Sequence, residues 1–237
     1  MVSKKKTSKA VTSTAGSAWY TWILLLVVLF MYGKTMKFGF VLDDDLFIRN
    51  NPVVQRGVSG IPDAFNRPSL EHFKGSNFQM YRPAVITAFC IEQSIFRFEP
   101  GPYHFVNLLL YSLICLLVYR LCRNLFPKVH PGFAFLAALV YAVHPVHSEV
   151  VANVKGQDEL WATFGALMSF KLFLDYIERP AVGKTLFASV GFFLLSLFSK
   201  ESSVAFFALF PVTAFLLKGR SVKDSLLRSL PWLAAVL

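Results

Sequence analysis

Charge is scarce in this chain. Only 16% of its 237 residues are Asp, Glu, Lys or Arg, against 55% hydrophobic residues and 25 phenylalanines. Soluble domains carry about 25% charged residues, so a mainly solvated surface is excluded. Cysteine is scarcer still, with Cys90, Cys115 and Cys122 only. The last two lie inside an apolar run and read as small hydrophobes, and no spacing fits a zinc site or a disulfide framework. No self-similarity appears at a period of about 34 residues, which excludes a helical repeat array within the chain. A clear cleavage site is also missing: the apolar segment from Ala18 to Tyr32 runs on into "GKTMKF" with no clear small-residue cleavage pattern, so an uncleaved first span is expected rather than a secretory signal.

What is present is a series of apolar runs with a mean hydropathy of +0.52. Several approach the roughly 20 residues that cross a bilayer core. Helix is the open-ended structure that lipid tolerates, because every backbone group is paired within the segment. The expected fold is therefore all-α, a polytopic transmembrane helix bundle. Helices are expected near 18–36, 103–122, 133–150, 160–177, 184–199 and 203–217, with another beginning near Leu230. The organisation follows: a disordered basic cytoplasmic tail over 1–17, the first span over 18–36, a long extracytoplasmic loop over 37–102, and a bundle over 103–237. Within the loop, "YRPAVITAFCIEQSIF" (81–96) is interrupted by Arg82 and Glu92 and is expected to lie at the membrane interface. About eight residues from Leu230 to Leu237 cannot cross a core of ~30 Å, so an amino-terminal fragment or a truncated product is expected.

The net charge of +10 follows from lysines and arginines flanking the spans, as membrane proteins place them; no nucleic-acid partner is expected. With the N-terminus cytoplasmic, the inner segments hold 13 Lys and Arg and the short outer loops hold only Lys155 and Lys200. That bias orients the chain with its N-terminus inside. Eleven of the 14 acids then fall outside. Lys171 and Asp175 sit four apart within one span, where a local ion pair is a cheaper account than a transport path.

Three polar clusters meet this outer face. "LDDD" places Asp43, Asp44 and Asp45 side by side just beyond the first span. Adjacent residues cannot all point one way, so one or two would face a cleft; like charges at a partly dehydrated surface raise at least one pKa, which suits a general base. A solvated loop is the plainer alternative. "HPVHSE" sets His144 and His147 three apart with Glu149 beyond, and Pro145 is expected to end the third span at His144. This set is compatible with a divalent metal (Mg or Mn), with a sugar, or with structural histidines at an interface, and it lacks the i,i+4 spacing of the strong zinc motif. Downstream, "KGQDEL" carries Lys155, Asp158 and Glu159, which equally suit the first turn of a helix. "FSKESS" holds Lys200 and Glu201 at a membrane boundary, where a turn capped by Ser202 and Ser203 is the plain account. Lys200 would neutralise a phosphate at headgroup depth, and Arg82 would do so with bidentate geometry; snorkelling to lipid headgroups explains both as well.

Taken in order, "FVLDDD", "NNPVV", "YRPAVITAF", "GPYHFVNLLLY", "VYAVHPVHSEVVANVKGQDEL" and "SKESS" resemble the transmembrane, tetratricopeptide-repeat-containing O-mannosyltransferases and their bacterial relatives, within the GT-C class of membrane glycosyltransferases. The resemblance runs from about Trp19 to Leu217. It implies transfer of a sugar, mannose by analogy, from a polyprenyl- or dolichyl-phosphate donor to a hydroxyl of a protein or glycan acceptor on the outer or lumenal face. One of Asp43, Asp44 and Asp45 would be the base, with the family's paired acids best matched by Asp43 and Asp44. Arg82 or Lys200 would steady the leaving phosphate. His144, His147, Glu149, Asp158, Glu159 and Glu201 would line the cleft, with Mg or Mn as a further ligand of that cleft. Membrane lipids are the other expected partners. Bacterial inner membrane and endoplasmic reticulum both suit the topology; compact loops and the lysine-rich start favour the former.

Overall fold

In a computed structural model, the chain folds into helices joined by short turns. The structure describes residues 15–71, 80–178, 183–216, 219 and 221–236; the expected basic tail lies outside them up to residue 14. The α-helices are α1 (Ala15–Tyr32), α2 (Pro52–Gln55), α3 (Ile61–Asn66), α4 (Pro83–Phe96), α5 (Pro100–Leu125), α6 (Pro131–Val143), α7 (Ser148–Ala152), α8 (Gln157–Glu178), α9 (Gly183–Ser199), α10 (Leu209–Leu216) and α11 (Val222–Val236). No strand occurs among the described residues. Proline opens α2, α4, α5 and α6 at the first turn, where its missing N–H costs nothing.

Three stretches are long and apolar enough to cross a bilayer: Ala18–Lys37, Pro100–Leu125 and Val154–Glu178. A fourth arises if Pro131–Val143 and Pro145–Ala152, bent by 49°, are one span. The chain is thus a multi-pass integral membrane protein of all-α class. Several sequence expectations are corrected in detail. The helix outlined near 133–150 stops at Val143, as expected from Pro145, because His144 takes an extended conformation before it, and the stretch to 150 is a separate 3₁₀ turn and the start of α7. The fourth begins at Gln157, which puts Asp158 and Glu159 in its first turn. The segment after Lys200 is a 3₁₀ helix over Glu201–Ala208 without a serine cap, and it becomes α-helical only at Leu209. The last helix starts at Val222, with Pro231 inside it. α9 has 17 residues, about 25 Å at 1.5 Å each, which is short of the core thickness.

α8 and α9 approach most closely. A Cβ added at Gly165 would lie 2.7 Å from the Phe192 carbonyl oxygen, so only glycine admits the neighbouring backbone. Serines complete the seam: Ser196 Oγ donates to the Ala162 carbonyl at 2.6 Å, and Ser189 Oγ donates to the Ser169 carbonyl at 2.7 Å. The Trp232 indole N–H of α11 reaches Ser169 and Ser189 Oγ at 3.2 and 3.1 Å. Small residues and interhelical hydrogen bonds are how helices associate where lipid removes the hydrophobic drive. Elsewhere the bundle buries apolar clusters, one of which joins the first loop to α4 and α5 through Phe47, Ile48, Val54, Ile86, Phe89 and Tyr103. Lys171 and Asp175 form the local ion pair expected of them.

Candidate functional site

The three aspartates after α1 part company. Leu42 adopts φ +48°, a strained region for a branched residue, and the chain then turns into a short helix. Asp43 is exposed and lines a cavity of about 300 Å³. Asp44 is fully buried: its Oδ2 accepts the Val41 N–H at 2.9 Å and its Oδ1 accepts the Lys155 N–H at 2.7 Å. Burial raises its pKa, partly offset by these backbone donors. Asp45 points elsewhere and pairs with Arg49 at 3.1 Å.

The cavity is closed by residues from two further segments. Glu149, Val150, Asn153, Lys155 and Gly156 come from α7 and the turn after it, Asp158 and Glu159 from the first turn of α8, and Lys200 from the junction beyond α9. Four carboxylates and two lysines therefore share one space. The turn over 153–155 is shaped by Asn153, whose Oδ1 accepts the Lys155 N–H at 3.0 Å, and Asn107 of α5 donates to the Asn153 carbonyl at 2.7 Å.

Beside the cavity runs an ion network. Arg82 is held by Pro83 at the start of α4 and by its own N–H on Ser69 Oγ at 2.9 Å. Its guanidinium pairs with Asp158 and reaches Glu201 at 2.9 Å. Lys155 Nζ lies 3.1 Å from the same Asp158 carboxylate, and Lys200 pairs with Glu159. Burial pushes the Lys200 ammonium below its ordinary pKa, with nearby Arg82 and Lys155 acting the same way and Asp158 and Glu201 opposing. Burial of Glu201 would raise its pKa, but hydrogen bonds from Arg82 and its own backbone, together with the charges of Arg82 and Lys200, outweigh that and hold the carboxyl below the usual range.

The sequence-derived candidates are thus divided. Asp43, Glu149, Asp158, Glu159 and Lys200 meet in the cavity; Arg82 and Glu201 stand beside it in the ion network, so Arg82 is engaged by carboxylates rather than free for an anion. His147 lines a neighbouring cavity of about 230 Å³ together with Tyr111 and Tyr141, and Val150 and Glu159 border both spaces. His144 is exposed and caps its own turn, Nδ1 accepting the Val146 N–H at 3.2 Å. Sequence reasoning does not single out Lys155 and Asn153 as site residues. The signal available is a lone cation among the acids of "NVKGQDEL", whose direction only the folded turn gives. Among the described residues no three His, Cys, Asp or Glu side chains are grouped to hold a metal ion, and no step below is assigned to the expected Mg or Mn.

The profile of the dolichyl-phosphate-mannose-protein mannosyltransferase family matches residues 83–237. The chain belongs to that family. The protein O-mannosyl-transferase TMTC1 of Homo sapiens is 32% identical over 174 residues, covering 70% of this chain and 19% of the relative. The protein O-mannosyl-transferase Tmtc3 of Drosophila melanogaster is 30% identical over 201 residues, covering 73% and 21%. The human protein O-mannosyl-transferase TMTC4 is 28% identical over 222 residues, covering 85% and 30%. The chain therefore spans about a fifth to a third of the length of these mannosyltransferase-family relatives. No solved structure matches.

Proposed function

We propose that this protein contributes the reaction cavity of a membrane glycosyltransferase, which moves mannose from a polyprenyl- or dolichyl-phosphate donor to an acceptor hydroxyl. The observation that carries the reading is the meeting of Asp43 with Lys155 and Lys200 in one cavity at the ends of apolar helices. The family and the names of its relatives supply the sugar and the reaction class.

The chemistry divides among these groups. The acceptor hydroxyl gives its proton to the Asp43 carboxylate as its oxygen bonds to the anomeric carbon. The bond from that carbon to the phosphate oxygen breaks, and the lipid phosphate leaves with the electron pair. Charge builds on the leaving oxygen, and Lys155 and Lys200, the cations on the cavity wall, offset it by turning towards it from their resting partners Asp158 and Glu159. Glu149 and Glu159 offer acceptors to the hydroxyls of a neutral hexose, which suits a space richer in carboxylates than in lysines. The neighbouring cavity with His147, Tyr111 and Tyr141 takes the adjoining part of donor or acceptor. Arg82 acts indirectly by holding Asp158 and Glu201. The 13-to-2 lysine and arginine bias supports the outer or lumenal face for this cavity.

The test is mannose transfer by the intact protein in membranes, with a panel of polyprenyl-phosphate sugars and hydroxyl-bearing peptides. Asp43→Asn is expected to lower transfer by about 10²-fold or more, the usual contribution of a general base, with membrane insertion unchanged. Wild-type rates in the variant, or no transfer by the wild type from any polyprenyl-phosphate donor, overturn the reading.

A further inference from the structure

Asp44 does something its neighbours do not. It is fully buried and absent from the cavity wall, and each oxygen accepts a backbone N–H. One donor, Val41, belongs to its own turn. The other, Lys155, lies 111 residues away in the turn that carries one of the cavity's two cations. The same two turns meet again through side chains, since Lys155 Nζ stands 5.5 Å from the centre of the Phe47 ring, within range of a cation–π contact. Asn107, also fully buried, holds the far side of the Lys155 turn through the Asn153 carbonyl. A charge-assisted bond from a buried carboxylate to a backbone N–H is among the stronger hydrogen bonds, and here it joins two segments that share no secondary structure.

We propose that Asp44 is a positioning residue that couples the turn bearing Asp43 to the turn bearing Lys155 and so sets the base and the leaving-group cation at a fixed separation across the cavity. This rests on the reading of Asp43 as the base. The acid run then has a division of labour: Asp43 meets the acceptor, Asp44 mounts the cation's turn, and Asp45 pairs outward with Arg49. Effective reaction demands that groups be held within a fraction of an ångström of their working geometry, and Asp44 supplies a direct polar tie between these two.

A double-mutant cycle on mannosyl transfer by the intact protein tests this. Asp44→Ala is expected to lower kcat/KM by about tenfold or more. In the Lys155→Ala background, where that turn no longer carries a cation to place, the same change is expected to cost less than about threefold, because residues that act through one another are not additive. Asp44→Asn keeps an acceptor oxygen for the Lys155 N–H and is expected to retain more than about a tenth of the activity, whereas Asp43→Asn does not. The acid limb of the pH–rate profile should stay in place in Asp44→Asn. Multiplicative losses in the cycle, full activity in Asp44→Ala, or an Asp44→Asn enzyme as inactive as Asp43→Asn each overturn the proposal. If Asp44→Ala does not accumulate in the membrane, the cycle is run with Asp44→Asn, and an equal loss in both backgrounds is the overturning result. Activity in Asp43→Asn would instead sink the base assignment; an additive cycle beside an inactive Asp43→Asn sinks only the coupling.

Discussion

Replacing Arg82 by Met should destabilise the protein, and a second substitution should undo much of the damage. The Arg82 side chain is 8% exposed and that of Asp158 is 2% exposed, whereas Glu201 is 53% exposed. Removing one partner of a buried pair costs about 3–5 kcal/mol, because the other charge is left uncompensated. The half-exposed Glu201 adds no more than about 1 kcal/mol. Asp158 keeps Lys155 at 3.1 Å and the Glu159 N–H at 2.7 Å, which places the loss near the lower end, at about 3 kcal/mol. That is roughly a hundredfold in the folded-to-unfolded ratio. The assay is heat denaturation of the detergent-solubilised intact protein, followed by size-exclusion chromatography. Arg82→Met should lower the midpoint clearly, while Arg82→Met with Asp158→Asn should recover part of it, since the stranded charge is gone. A donor-binding arginine with no structural part would leave the midpoint unchanged. That result, or simple additivity of the two substitutions, refutes the reasoning.

Glu92 gives a pH signature. It is buried in α4, accepts from Gln157 Nε2 at 3.1 Å, and burial pushes its pKa up to about 8 from 4.5. The fold favours the protonated acid, so the penalty is absent below the unfolded value and grows as pH rises towards 8, by at most about 1.4 kcal/mol for each step of one in pH. Wild-type thermal stability should fall over that window relative to Glu92→Gln; parallel curves would contradict the assignment. Gly165→Val should overpack the α8–α9 seam and cost about 1–3 kcal/mol, whereas Gly191→Ala, with open space around its Cβ site, should be neutral or slightly stabilising. Equal thermal midpoints for the two variants would refute the packing account. For orientation, cysteines placed at Asp63 and Lys155 should react with an impermeant thiol reagent from the outer side, and one at Lys128 should not; the reverse pattern would turn the cavity to the cytoplasm.

Much of the helical layout is legible in the sequence because lipid imposes long apolar runs, and Pro145 marks the end of α6 through a local steric rule. The boundaries that fail lie where tertiary contacts override local signals. The 3₁₀ stretch after Lys200 reads as an ordinary apolar helix in sequence, and its Glu201 is drawn to Arg82, 119 residues back. The three aspartates are recognisable as a group, since adjacent side chains must diverge. Which of them faces the cavity is not, because that depends on the positive φ at Leu42 and on a backbone N–H supplied by Lys155. Arg82 looks like an anion ligand for the same reason: its carboxylate partners come from α8 and from beyond α9, and nothing near it in the chain announces them.

The distance along the chain between Arg82 and Glu201 bears on how the protein is made. As the nascent polypeptide threads into the bilayer, Asp43 emerges first, Asp158 much later and Lys200 later again. Until that last segment has been inserted, the guanidinium lacks one of its two anchors and the cavity lacks the part of its wall that Lys200 supplies. Closing so large a loop adds only a modest entropic cost, which grows with the logarithm of its length. Assembly of the cavity therefore waits on its last segment, and a chain stopped before Lys200 would hold Asp43 and Asp158 without the lysine that completes the wall or the Glu201 that completes the ion network.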